Sequence, residues 1–436
     1  MNLILVYHLK KCVYNALIKA SEENQKESEG SRKESEGSRK ESEESRKESE
    51  EHQDAIEEYQ KLSEGHQQER DQPLFQRRKE EWGGIAGPPG KMRFVTFQRV
   101  IKNDAGADAV NPVLEYGTPV SSQDGSVIRP VQLQVMEEVG LLSADGTRIL
   151  PLARTAFSFP DMNTLIAEST PEMLQELGKI AAALEIFVNR DPGSSGPQGE
   201  DPTLRVGDDA RILSPIPCPL QDVICLGLNY TEHAEEAAAY SSEAFTSKDR
   251  YPVYFSKRVF RSPGDGDPIP AYEGLVDSLD YEAELAVIIG RDIKGVAPEE
   301  VPGCIFGYTI LNDVSARNLQ TRHTQWYLGK SLDGYTPMGP CIVTADEFSY
   351  PPKLRISSTV NGELRQNSTT DMLIFGLDRI ISELSAGMTL RAGTIISTGT
   401  PKGVGMGFDP PRFLKKGDAV TCAIEGIGTL TNRIGD

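Results

Sequence analysis

Residues 280–290, Asp-Tyr-Glu-Ala-Glu-Leu-Ala-Val-Ile-Ile-Gly, carry a run of apolar and β-branched positions that stops at Gly290, the pattern of a strand. Side chains alternate across a strand, so Glu282, Glu284, Ala286 and Ile288 share one face, while Tyr281, Ala283, Leu285 and Val287 take the other. Both faces are largely apolar, which predicts a buried strand with two carboxylates projecting from it. A second apolar run, 307–312, ends on Asp313 just before 315–320, which reads as helix. Further short strands are expected at 223–226, 341–344, 354–360, 394–398 and 419–424, punctuated by Gly and Pro. There is no strand–helix–strand rhythm and no glycine-rich phosphate fingerprint. The fold class is therefore α+β and β-rich, a roll or barrel with a few helices packed outside.

Upstream, 139–142 and 148–152 form a hairpin around Asp145-Gly146, and 161–184 has helical periodicity with Leu174, Leu177, Ile180 and Ala181 available for one face. A Gly/Pro/Ser/Asp-rich stretch, 190–201, reads as a long loop and an insertion. Residues 92–215 form a small mixed α/β domain without a chemical constellation, and 216–436 form the larger domain. Residues 1–91 differ in kind. From Lys26 a Lys-Glu-Ser-Glu-(Gly/Glu)-Ser-Arg unit repeats about every seven residues, with no apolar seam to bury. This arm is a solvated charged helix or a disordered tract. Residues 1–20 begin apolar and then carry His8, Lys10 and Lys11, the reverse of a signal peptide's order and too short to span a bilayer. A cytoplasmic protein is expected, with a mitochondrial address as the other reading, and Met92 is a candidate for the true start.

Two carboxylates side by side in an apolar setting repel and are poorly solvated unless a cation sits between them. Glu282 and Glu284 thus read either as ligands of a hard divalent cation or as the solvated face of an edge strand. Asp313 reads either as the N-cap of the following helix or as a third oxygen ligand, completing one side of an octahedral Mg²⁺ or Mn²⁺ site. On a helix over 230–240, His233 and Glu236 lie on one face. They are an exposed ion pair or a dyad in which the carboxylate orients the imidazole for proton transfer. The formal charge is −19, and without residues 1–91 the chain still has 30 basic against 45 acidic residues. With no basic stripe, that balance argues against nucleic acid and anionic membranes as partners. Cys12, Cys218, Cys225, Cys304, Cys341 and Cys422 are scattered without a Cys-x-x-Cys pair, which points to free thiols in a reducing compartment.

Five motifs over 212–436 together resemble the fumarylacetoacetate hydrolase (FAH) family. They are Asn229-Tyr230-Thr231-Glu232-His233, Asp280-Tyr281-Glu282-Ala283-Glu284-Leu285, Asn312-Asp313-Val314-Ser315-Ala316-Arg317, Gly329-Lys330-Ser331-Leu332-Asp333 and Thr398-Gly399-Thr400-Pro401 with Gly403 and Gly405. The resemblance implies a mixed β-sandwich roll, a homodimer, and Glu282, Glu284 and Asp313 as ligands of Mg²⁺ or Mn²⁺. It implies that His233 and Glu236 activate water, and that Lys330 faces the metal and stabilises an enolate oxygen. Gln320, Arg317 and Thr400 become substrate contacts, with Lys257 near the pocket. Asn229 stands where fumarylacetoacetase proper supplies a fourth metal carboxylate, so the resemblance is to the smaller members: acylpyruvases, oxaloacetate decarboxylases and dienedioate isomerases. Asn318 and Thr394 also replace acids of the family pattern, away from the expected ligands. The implied activity is metal-dependent hydrolysis of a carbon–carbon bond in a 2,4-dioxo, acylpyruvate-like acid. The alternative is oxaloacetate decarboxylation, or tautomerisation of a 2-oxo or dienol acid, in the same small-molecule site.

Overall fold

Seven strands lie side by side in the larger sheet, and two of them carry Glu284 and Lys257. The computed structural model describes residues 92–99, 101–102, 108–109, 137–189, 201–240, 251–323 and 325–435. The charged arm 1–91 and the loop 190–200 lie outside the described residues, as does Cys12. The seven strands run, in spatial order, Arg93–Arg99, Met338–Thr344, Ile305–Asn312, Ala283–Ile289, Ile395–Ser397, Val223–Gly227 and Val253–Lys257. Neighbours are antiparallel except Ile395–Ser397 and Val223–Gly227, which are parallel. The sheet continues past Arg93–Arg99 through Glu137–Leu142, Arg148–Pro151 and Leu204–Arg205, while Ala210–Ile212 also pairs with Arg93–Arg99. The boundary expected near residue 215 therefore falls inside one continuous sheet. A second sheet of five strands is ordered Pro268–Pro270, Gly428–Gly435, Ala419–Ile424, Arg355–Val360 and Glu363–Thr369.

The alternation along Ala283–Ile289 feeds two cores. Leu285, Val287 and Ile289 pack with the second sheet and with the Leu377–Gly387 helix, through Ile356, Val420, Ile380 and Ile381. Ala286 and Ile288 face the opposite core, built with Phe94, Leu165, Leu177 and Leu184. All seven residues of the strand are buried. Its close pairing with Ile305–Asn312 and Met338–Thr344 needs a residue without a side chain at Gly307, where a Cβ would lie 2.4 Å from the Val343 carbonyl oxygen.

The 161–184 periodicity resolves into two helices, Met162–Glu168 and Pro171–Val188. Pro171 has no N–H to continue the first helix, and Asp161 and Thr170 cap the two N-termini by accepting from Thr164 N and Met173 N. The helix expected over 315–320 starts at Arg317, because Ser315–Ala316 pairs as a short ladder with Leu279–Asp280. The Glu363–Thr369 and Gly428–Gly435 strands were not expected from their mixed, largely polar sequences. Among the described residues no helix is long and apolar enough to cross a membrane.

Candidate active site

Glu282 and Glu284 sit where the apolar run begins, and Asp313 follows the end of the antiparallel neighbour, so opposite strand ends deliver all three acids to one place. One carboxylate oxygen from each lies within 4.8 Å of the others, and all three residues are buried. Asp313 does not cap the following helix, whose N-cap is Ala316 with no side-chain bond. Its oxygens go instead to two ammonium groups: Oδ1 to Lys257 Nζ at 2.5 Å and Oδ2 to Lys330 Nζ at 2.8 Å. Lys330 Nζ also reaches Glu282 Oε2 at 2.7 Å, and Arg317 Nη2 reaches Glu282 Oε1 at 2.7 Å. Glu284 accepts from Ser397 Oγ at 2.6 Å and from Gly399 N at 2.9 Å.

These partners split the two glutamates. Burial would raise the Glu282 pKa, but the Lys330 and Arg317 charges outweigh it and hold the carboxyl well below its usual range. For Glu284, burial, reinforced by Asp313 and Glu282, pushes the pKa well above the usual range despite the Ser397 bond. Burial opposes both ammonium groups. Asp313 and Glu282 overcome it at Lys330, whose pKa is raised, whereas Lys257, beside Asp313 but repelled by Lys330, is lowered. Asp280, Glu282 and Asp313 each have a cationic partner among Arg317, Lys330 and Lys257, whereas Glu284 is met only by the Ser397 hydroxyl and the Gly399 amide. A divalent cation beside Glu284 suits this donor set of three hard oxygens. Adjacent oxygens around an octahedral Mg²⁺ or Mn²⁺ lie about 3 Å apart, so the three carboxylates, now within 4.8 Å of one another, would draw together on binding. The residues therefore fit such an ion.

Beside this cluster, the Thr231–Tyr240 helix places His233 Nδ1 2.9 Å from Glu236 Oε2. Neither is an exposed surface group: their side chains are 7% and 15% exposed. Glu236 Oε1 accepts from Gly403 N at 3.0 Å. Gly403 has φ +101°, and a Cβ there would meet the Arg365 carbonyl oxygen at 2.1 Å, so only glycine brings this backbone down onto Glu236. Nδ1 is committed to Glu236, which leaves Nε2 as the ring's other hydrogen-bonding atom.

A family model, "Fumarylacetoacetate (FAA) hydrolase C-terminal", matches residues 222–435. Oxaloacetate tautomerase YisK of Bacillus subtilis is 45% identical over 227 residues, 52% of this chain and 74% of that protein. The chain belongs to the fumarylacetoacetate hydrolase family. Among solved structures, a fumarylacetoacetate hydrolase (EaFAH) from Exiguobacterium antarcticum is similar with TM-score 0.56 and 32% identity, covering 79% of this chain and 99% of that one. A probable 2-hydroxyhepta-2,4-diene-1,7-dioate isomerase from Mycobacterium abscessus gives TM-score 0.52 and 28% identity, covering 69% and 95%. The named relatives are enzymes, and they span hydrolase, isomerase and tautomerase chemistry.

The expected site residues of this FAH-family chain converge, but not all face open space. Lys257 is fully buried under the carboxylates, donating to Asp313 and to the Val314 carbonyl at 3.0 Å. Its geometry is that of a counter-ion. Thr400 Oγ1 donates to the Ala283 carbonyl at 3.0 Å and accepts from Gln366 Nε2 at 2.7 Å, so its hydroxyl is tied to the metal-cluster strand. Gln320 Oε1 accepts from Arg317 Nη1 at 3.0 Å. Asn229, at the position of the absent fourth acid, donates Nδ2 to the Thr398 and Phe375 carbonyls and accepts from Phe375 N. It staples two loops and points no carboxylate at the cluster. Two contributors were not singled out in the sequence, Ser397 on Glu284 and the fully buried Gln366, which also accepts from Ala283 N, while Gly399, expected only as part of a motif, gives its amide to Glu284.

Proposed function

We propose that this protein is a divalent-metal-dependent enzyme that moves a proton at the carbon next to the carbonyl of a 2-oxo acid, with keto–enol interconversion of oxaloacetate as its reaction. The observation that carries this reading is a nearly buried His233–Glu236 dyad set beside Glu282, Glu284 and Asp313. The name of the 45%-identical relative supports oxaloacetate as the substrate. Glu282, Glu284 and Asp313 would hold Mg²⁺ or Mn²⁺, which would supply Lewis acidity to the substrate. His233, oriented by Glu236, takes the proton from the enolisable carbon and returns it to the oxygen or the carbon. Lys330 places positive charge against the developing enolate oxygen, and Arg317 with Gln320 holds the substrate's carboxylate end. A second reading, hydrolysis of an acylpyruvate, is supported by the hydrolase name of the 32%-identical structure. The same dyad would then act on a water molecule.

The experiment follows enol–keto conversion of oxaloacetate by ultraviolet absorbance, and pyruvate release from an acylpyruvate, with Mg²⁺ and with EDTA. His233→Ala should slow enol–keto conversion by about 10²–10⁴-fold, the usual worth of a general base. A wild-type rate in His233→Ala rules out the dyad as the proton carrier. Pyruvate release without enol–keto conversion selects the hydrolytic reading. The resemblance also carries a homodimer, which sedimentation of the full chain tests.

A further inference from the structure

Asp280 opens the motif that contains two of the three carboxylates, yet it faces neither the cluster nor solvent: it is fully buried. All four of its hydrogen-bond partners are donors. Oδ1 accepts from Gly405 N at 2.6 Å and Tyr281 N at 2.9 Å, and Oδ2 accepts from Met406 N at 2.9 Å and Arg317 Nε at 2.9 Å. Both oxygens therefore act as acceptors. Three of the donors are backbone amides, so the carboxylate is held by the main chain and cannot follow a moving side chain. Arg317 is the movable partner. Held at Nε by Asp280, its planar guanidinium meets Glu282 through Nη2 at 2.7 Å and Gln320 through Nη1 at 3.0 Å.

We propose that Asp280 is a positioning residue that acts through Arg317, fixing the guanidinium so that it and Gln320 present donors to the carboxylate end of a 2-oxo acid. The inference rests on the functional reading above and adds to it the residue that sets where the substrate's carboxylate is held. A purely structural Asp280, serving only to pin the 405–406 backbone, would lower stability and leave substrate affinity alone. A positioning Asp280 changes affinity, and its effect vanishes when Arg317 no longer has a fork to orient.

A double-mutant cycle on the full chain with Mg²⁺ separates the two, reading KM and kcat for oxaloacetate well below each variant's melting temperature. Asp280→Asn is nearly isosteric but turns one acceptor into a donor. It should raise KM by about 10–100-fold, the usual effect of losing a residue that orients a binding group, with a smaller change in kcat. Arg317→Lys should raise KM comparably, and the double variant should be no worse than the poorer single one. A wild-type KM in Asp280→Asn, or single effects that multiply in the double variant, overturns the inference. If Asp280→Asn does not fold, Asp280→Ser goes through the same cycle and the same two outcomes decide. His233→Ala, assayed alongside, tests the functional reading separately. If it turns over at the wild-type rate, that reading fails; if it is slow while Asp280→Asn behaves as wild type, the positioning role alone fails.

Discussion

Replacing Lys330 by methionine should convert a modest stability contribution of metal into a large one. The ammonium is 2% exposed and bridges Glu282 at 2.7 Å and Asp313 at 2.8 Å. At an effective dielectric constant of about 20, each contact is worth roughly 6 kcal/mol of Coulomb attraction. Desolvation of the buried ammonium offsets most of that, and removing one partner of a buried pair typically costs about 3–5 kcal/mol. Each kcal/mol lowers the melting temperature of a body this size by roughly 2 °C. Lys330→Met in EDTA should therefore melt about 6–10 °C below wild type. Saturating Mg²⁺ should narrow the gap, because without the ammonium the same two carboxylates bind the cation more tightly than in wild type. At one fixed Mg²⁺ concentration, each tenfold fall in Kd adds about 1.4 kcal/mol to the variant alone. Calorimetric melts of both proteins, with EDTA and with Mg²⁺, make the measurement. Lys179→Met is the control: its partner Glu176 is 2.8 Å away, but the two side chains are 42% and 51% exposed, so it should be near neutral. If Lys330→Met melts like wild type in EDTA, the ammonium does not neutralise the acids. If Mg²⁺ leaves the gap unchanged, the carboxylates do not hold the cation.

Three further outcomes are expected. Asn229→Asp should cost about 2–4 kcal/mol in urea unfolding without tightening Mg²⁺ binding, since a carboxylate there faces the Thr398 and Phe375 carbonyls; tighter binding would show that the position can act as a fourth ligand. Among the described cysteines, native protein at pH 8 should be alkylated at the exposed Cys218 first. Burial pushes the Cys341 and Cys422 thiols up to about 12, so early labelling of either contradicts their packing. A chain beginning at Met92 should keep its melting temperature and turnover, because the repeat in 1–91 has no apolar seam to bury; a large loss of stability would show that the arm packs against the body.

What could be read from the sequence was what repeats locally. The alternation in 280–290 placed Glu282 and Glu284 on one face, and the apolar run ending at Asp313 placed a third acid at a strand end. Both follow from a period of two and need no knowledge of the partner strands. The choice between ligand and cap at Asp313 was not legible, because it turns on Lys257, 56 residues earlier, and on the Ser315–Ala316 ladder that delays the helix. Ser397 and Gly399 reach Glu284 across 113 and 115 residues, and Gln366 reaches Ala283 across 83. Nothing in the local pattern of these residues distinguishes them from ordinary turn and strand polar groups. The Glu363–Thr369 strand was hidden for a related reason: Gln366 is its one buried residue, so its sequence reads as polar loop.

The continuity of the large sheet has a practical consequence for anyone dissecting this protein. The family model begins at residue 222, which invites excision of 222–435 as a self-sufficient module. Such a cut would strip Arg93–Arg99 from Met338–Thr344 and turn an interior strand into a bare edge. It would also uncover the apolar face that Phe94, Leu165 and Leu177 now cover, including Ile288 and Ile342. Unpaired backbone beside exposed isoleucines is a template for edge-to-edge association. The fragment should accumulate as aggregate, and the shortest piece worth expressing starts at Met92.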